Sequence, residues 1–507
     1  MGSTTATRSR HAGGTLVVLL ACACQSGLAA TVDILPERYP NRLGPNDDTV
    51  SAVLLRPPQA LGISHDARAH ASSADGSSAN VEGTLELLDV DGDGGEDAVV
   101  TFAAQALREA GIVSASAHRV ELRVESQRES WVGSDRLFDG DASLIVLPAP
   151  LGPYGVGTAE LVAVDGSRVV AGAGGRTLLV RLWYPAVTSA RQPAPYFLDV
   201  ERAERSQRAF YLPLPDGLFE RTHGSARQHL LPAAPEPRAA VLLSPGWDAP
   251  VELYGALAAE LASFGYLVVG VQHPGGPGAL GGDDGAPNPE DWELVPSERT
   301  SAAWALDLEY VAAWLENPDE AASTSLDEAA RADVRDALAQ LDRGRVAALG
   351  HCFGGSAAVR ADADSSRIGA SIALESSILG EPRALAQQAH SLLLSSPEHA
   401  ELDASLDAFL VAAGTRSRGL DIVGTRYADY ADTRWLFSAL LREAPDLGAE
   451  GYGLGPIGAE RAHVVISAQV RAFLAAAWSG QPASAELRAA DYPEVTPRAA
   501  RAGAAGG

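Results

Sequence analysis

The sequence predicts an α/β fold, a mostly parallel sheet with helices on both faces, preceded by a small β-rich domain. Three observations predict it. From about residue 147 to 480, short apolar runs alternate with amphipathic stretches of helical period. Residues 31–140 carry only short apolar runs cut by Gly, Pro, Asp and Ser clusters. Within the first pattern, residues 345–360 read as strand, glycine-rich turn and helix in immediate succession. At 507 residues and 46% hydrophobic content the chain has enough material for two cores.

The first 30 residues read as a secretory signal. Arg8, Arg10 and His11 form a basic start, 14–23 is an apolar core too short to span a bilayer, and Ala29-Ala30 offers a cleavage site before Thr31. This implies a secreted or periplasmic protein. Leu19-Leu20-Ala21-Cys22 also resembles a lipobox, so membrane anchoring enters only if Cys22 is lipidated. Cleavage near Ala30 leaves Cys352 as the lone thiol, unable to form an internal disulfide. The formal charge of −26 argues against nucleic acid as a partner. The absence of lysine excludes Schiff-base, P-loop and Ser-Lys chemistry.

In the β-rich domain the strand candidates are 50–55, 84–88, 98–102 and 120–124. Between the second and third lies Asp89-Val90-Asp91-Gly92-Asp93-Gly94-Gly95-Glu96-Asp97. Carboxylates at Asp89, Asp91, Asp93 and Asp97, with a glycine turn, converge as oxygen ligands do on a hard cation. Val100 replaces the final glutamate of an EF-hand, so the expectation is a structural Ca²⁺ loop between strands, or else a solvated acidic turn. No cofactor is implied for catalysis.

In the larger domain the strands are expected at 177–183, 239–243, 266–271, 346–349, 370–374, 391–394 and 420–423, and helices at 251–264, 301–315 and 459–477. Ser325-Leu326-Asp327-Glu328 forms a capping box opening a further helix over 327–341. Residues 274–296 form a Gly/Pro/Asp-rich loop long enough for a lid, and the Ala/Arg/Gly-rich tail 481–507 is expected to fray.

The chemistry centres on Gly350-His351-Cys352-Phe353-Gly354, which has the G-x-S-x-G spacing of a nucleophile elbow with Cys in the Ser position. The glycines permit a strained turn, and the helix start behind the thiol favours its anion. Earlier, strand 239–243 runs into Ser244-Pro245-Gly246-Trp247-Asp248. In an α/β-hydrolase a loop in that position donates one oxyanion N–H and the residue after the nucleophile the other; here those would be Trp247 and Phe353, the alternative being an ordinary turn.

These pieces resemble the platelet-activating-factor acetylhydrolase-like branch of the α/β-hydrolases over most of residues 148–480. The match rests on 151–157 (LGPYGVG), Leu182-Trp183-Tyr184-Pro185, Leu243-Ser244-Pro245-Gly246, 261–266 (LASFGY), Val271-Gln272-His273, 350–355 (GHCFGG) and Ile372-Ala373-Leu374-Glu375. Cysteine in the elbow is also similar to the dienelactone hydrolases, which run a Cys-His-Asp triad on the same fold. Val32-Asp33-Ile34-Leu35-Pro36, Asn41 and the Asp loop resemble a calcium-loop β domain of secreted bacterial proteins.

The resemblance implies Cys352 as nucleophile and Glu375 as triad acid, with Glu398 a competing acid after the next strand. It places the histidine in a G-x-x-H-x-x-F-[SA]-D motif, where this chain has Gly424-Thr425-Arg426-Tyr427-Ala428-Asp429-Tyr430-Ala431-Asp432. Tyr427 thus occupies the histidine slot, and a phenol of pKa ~10 is a poor base near neutrality. The next histidine downstream is His463, which keeps the order nucleophile–acid–histidine but aligns with a position that is ordinarily solvent-facing. His273 and His399 also follow strands, and His351 lies inside the elbow. The implied function is hydrolysis of carboxylic esters or thioesters, with a small-molecule or lipid ester as substrate. The alternative is a catalytically impaired member used for binding. Disulfide cycling is disfavoured because the mature chain lacks a resolving cysteine.

Overall fold

The structure, a computed structural model, describes residues 28–498 with breaks, the longest at 56–66, 275–294, 326–333 and 480–490. Most of the expected signal segment, Cys22 and nearly all of the expected lid loop lie outside the described residues. Two compact units emerge: one built from Met1–Pro36, Pro45–Ser114 and His118–Leu137, the other chiefly Phe138–Gly507. No helix among the described residues is long and apolar enough to cross a membrane.

The first unit is built on a mainly antiparallel sheet, to whose edge the two-residue strand Leu28–Ala29 adds in parallel. Its strands are β1 (Thr31–Ile34), β2 (Thr49–Leu55), β3 (Arg68–Ser73), β4 (Val81–Leu88), β5 (Asp97–Ala103), β6 (His118–Glu125) and β7 (Ser130–Asp139). They lie in the order β7-β6-β3-β4-β5-β2-β1. Period-two alternation is plain in β4, whose residues alternate between half-buried and exposed. Leu88 pairs with Asp97, so the acidic segment is the connection between two strands. Asp89 is exposed and Asp97 buried at the head of β5, while Asp91 and Asp93 lie outside the described residues.

The second unit is a mixed α/β layer structure. Its strands are β8 (Gly155–Asp165), β9 (Arg176–Ala186), β10 (Arg238–Ser244), β11 (Leu267–Gln272), β12 (Ser323–Ser325), β13 (Leu341–His351), β14 (Ala370–Leu374), β15 (Ser391–Ser395), β16 (Arg418–Ile422) and β17 (Val495–Pro497). The order is β12-β8-β9-β11-β10-β13-β14-β15-β16-β17. The run β11-β10-β13-β14-β15-β16 is parallel throughout, whereas β12, β8, β9 and β17 add antiparallel pairs at the two sides. Successive residues of the central strands feed opposite cores. Val241, Leu243, Ala347 and Leu349 face helices α1 (Gly255–Ser263) and α5 (Ala459–Ser479). Ala240, Leu242, Val346 and Ala348 face α2 (Glu298–Glu316). Two further helices are α3 (Phe353–Asp364) and α4 (Thr433–Glu443).

Three expectations differ in detail. The helix expected over 251–264 begins as a 3₁₀ turn, Val251–Tyr254, before α1. Of the helix expected over 327–341, residues 334–338 are helical and Leu341 already starts β13, while 326–333 lie outside the described residues. Part of the tail does not fray: Val495–Pro497 adds to the sheet, Arg461 grips Glu494 at 2.7 Å, and Arg498 donates to Asp407 at 3.0 Å. Long-range ion pairs, invisible to local composition, hold it there.

Two buried charge clusters make measurable contributions. Arg202 is fully buried, with one Nη on Glu252 and the other 2.6 Å from Glu160. Arg202→Leu would leave two buried carboxylates short of a partner, and urea unfolding should show a loss of about 3–5 kcal/mol. On α3, Asp362 accepts from Ser371 Oγ and His390 N–H, both at 2.8 Å, yet burial outweighs these bonds and pushes its carboxyl up to about 7. A folded-state pKa above the unfolded one means that folding takes up a proton. This contribution is therefore complete below about pH 4 and is lost as pH rises through about 7. Asp362→Asn should flatten the change in urea midpoint between mildly acidic and mildly alkaline buffer.

Candidate active site

Strand β13 delivers Cys352 into a turn that only its neighbours make feasible. Its φ is +50°, and Glu375 at +45° is the one other non-glycine residue described with positive φ. A Cβ at Gly350 would sit 2.1 Å from the Gly354 carbonyl oxygen, and one at Gly354 would sit 2.2 Å from that of Pro245. The elbow therefore requires glycine on both sides, packed against the β10 loop. Cys352 N–H donates to the Leu374 carbonyl at 2.9 Å, which ties the turn to the strand ending at Glu375. The thiol residue is half-buried and sits at the start of the twelve-residue helix α3.

Aromatic packing brings the two expected oxyanion residues together. The Trp247 and Phe353 rings meet edge to face at 5.1 Å, and both pack on Trp304 beneath them. Trp247, Leu379 and Cys352 are the partly exposed members of this cluster. Behind it, the Tyr254 hydroxyl accepts from Gly246 N–H at 2.9 Å and bonds His351 Nδ1 at 2.8 Å. Burial, with help from Arg434, lowers His351 to about 3, so the imidazole is neutral.

The structure does not join Glu375 to His463. The Glu375 carboxylate accepts from Ser396 N–H at 2.6 Å and Ser396 Oγ–H at 2.5 Å, and among the described residues no imidazole hydrogen-bonds to it. Burial raises its pKa despite those bonds. His463 lies on α5, buried rather than solvent-facing, with its ring against Trp435 at 5.3 Å and no partner for Nδ1. Burial and the charges of Arg434 and Arg471 lower it to about 3. The reason is packing: the apolar stripe of α5 carries the ring into the core against Trp435. The other acid, Glu398, stands 3.8 Å from Arg426 at the surface.

The remaining histidines have defined places. His399 lies near Glu375 but faces Asp403 at 3.6 Å. His273 is fully buried between Ser244 and Asp307. Tyr427 lies in the position where the histidine motif would put an imidazole, its ring 4.8 Å from that of His351 and 41% of its surface exposed. Its turn, Tyr427–Tyr430, sits close enough to Glu375 for Asp429 to act on that carboxyl electrostatically. Among the described residues no three His, Cys, Asp or Glu side chains come together as metal ligands.

No family model and no curated protein matches this sequence. Among solved structures, the ferulic acid esterase from Streptomyces cinnamoneus is similar at 26% identity and a TM-score of 0.55, covering 70% of this chain and 99% of that one. The likeness supports ester hydrolysis. It places the chain in a hydrolase-like superfamily, in keeping with a half-exposed thiol at a strained strand-to-helix turn.

Two features went unread in the sequence. Ser396 bonds the expected triad acid, and Trp304 underlies both expected oxyanion residues. Trp304 had a signal, because it shares the apolar stripe of α2 with Leu308, Val311 and Leu315. Ser396 had none beyond its place after a strand.

Proposed function

We propose that this chain is an exported α/β-hydrolase, of the platelet-activating-factor acetylhydrolase-like type, that cleaves carboxylic esters or thioesters through Cys352. The observation that carries the reading is the positive φ of Cys352 at the head of α3, with the Trp247 loop packed beside it. The helix start favours the thiolate. Its sulfur attacks the carbonyl carbon, and the Trp247 and Phe353 N–H groups take the oxyanion. Collapse of the intermediate expels an alkoxide, phenolate or thiolate. Water then cleaves the acyl–sulfur bond, returning the thiolate and releasing acid and a proton.

Glu375 is held by Ser396 and bonds no imidazole among the described residues, so the acid–histidine pair that would protonate the leaving group is not assembled. Leaving groups that depart as anions, aryl oxides and thiolates, therefore suit the site best. The half-exposed Trp247 ring beside Cys352 suits a flat acyl group, in line with the aromatic acid in the name of the similar esterase. A second reading, a binding protein descended from such a hydrolase, is favoured by Tyr427 and by the hold of Ser396 on Glu375.

The test is p-nitrophenyl acetate with intact-mass analysis. An acetyl adduct on Cys352 and steady nitrophenol release, both stopped by iodoacetamide, support hydrolysis. Alkylation of Cys352 with no acetyl adduct and no release supports the binding protein.

A further inference from the structure

Ser244, His273 and Asp307 make a bonded relay that the reaction above does not use. Ser244 closes β10, His273 follows β11 and Asp307 lies on α2, and all three are fully buried. Ser244 Oγ is 2.9 Å from His273 Nε2, and His273 Nδ1 is 2.8 Å from Asp307 Oδ2. Arg176 holds Asp307 with Nε at 2.6 Å and Nη2 at 2.9 Å, and Arg168 adds Nη2 at 2.7 Å. Asp307 is thereby kept ionised, so Nδ1 carries the proton toward it and Nε2 accepts from the Ser244 hydroxyl. The bonding is that of a serine-hydrolase triad, but its full burial denies it a substrate.

The relay reaches the elbow by two routes. The His273 imidazole lies flat on Trp304, with centroids 4.1 Å apart and planes 12° off parallel. Trp304 in turn stacks on Trp247 at 5.6 Å and meets Phe353 edge-on at 4.8 Å. By the second route, the Ser244 and Pro245 carbonyls abut the Cα of Gly354 at the head of α3. Both residues assigned to the oxyanion therefore rest on one ion-anchored imidazole. We propose that His273 is a positioning residue. Held by Asp307 and bonded to Ser244, it fixes the separation of the Trp247 and Phe353 N–H groups and so lowers the barrier to acylation without binding substrate. This rests on the reading of Trp247 and Phe353 as the oxyanion donors.

The relay can be separated from general structure because alkylation of Cys352 by iodoacetamide forms no oxyanion, whereas acylation by p-nitrophenyl acetate does. Two variants serve. Ser244→Ala deletes one bond of the relay. His273→Asn keeps an N–H for Asp307, so the buried carboxylate stays paired, but loses the ring stack and the Ser244 bond. The expected result is a fall in kcat for acylation of about tenfold in Ser244→Ala and about a hundredfold in His273→Asn, with KM and the alkylation rate within threefold of wild type. Acylation unchanged in both variants, or acylation and alkylation falling together, overturns the proposal while leaving the hydrolase reading intact. A wild-type protein that alkylates but never acylates overturns both.

Discussion

Cys352→Ala is expected to lower ester turnover by on the order of 10⁴-fold or more while leaving the fold intact. The substitution keeps the Cβ that the turn already accommodates at φ +50° and removes only a half-buried sulfur, so little packing is lost. Cys352→Ser is the sharper comparison. In a hydrolase whose histidine extracts the proton, serine at the elbow works well. Here Glu375 is bonded to Ser396 and Tyr427 stands where the histidine motif would put an imidazole, so the histidine–acid pair that would deprotonate a hydroxyl is not assembled. A thiol of pKa ~8.5 beside a helix start ionises unaided, and a serine hydroxyl does not. Serine should therefore be as inactive as alanine in p-nitrophenyl acetate hydrolysis at neutral pH. Serine activity close to wild type would mean that a base exists and that the thiolate account is wrong.

What the sequence disclosed follows how local each feature is. The elbow was legible because two glycines and a cysteine within five residues, flanked by an apolar run and a helical stretch, leave few other conformations. The central strands were legible because burial on both faces demands continuous apolar runs, as in β11 and β14. β8 was missed: Thr158, Glu160 and Asp165 interrupt its apolar pattern, and the first two are satisfied by residues far along the chain, Leu182 and Arg202. The partners of Glu375 and His463 were illegible for the same reason. That a carboxylate follows β14 is local information. That Ser396 captures it, and that His463 turns into the core against Trp435, depend on how α5 and the loop after β15 pack. The Ser244–His273–Asp307 relay shows the same limit, since its members span 64 positions of sequence and meet only in three dimensions.

Tyr427→His should raise turnover, and it argues from the same gap in the opposite direction. The Tyr427 ring is 41% exposed and touches His351, the residue before the nucleophile, so a smaller imidazole enters without overpacking. A histidine there titrates near ~6.5 and can take a proton from water attacking the acyl–sulfur bond, the step that a histidine–acid pair assists. General-base help of this kind is worth about 10² or more in kcat. The gain should appear in steady-state deacylation rather than in the initial acyl burst, and should titrate in with a midpoint near pH ~6.5. Adding Ser396→Ala, which releases Glu375 Oε1 while the backbone N–H keeps Oε2, should enlarge it, because the freed oxygen could then orient the new ring. If Tyr427→His leaves both phases unchanged while the protein still acylates, the 427–430 turn does not face the sulfur.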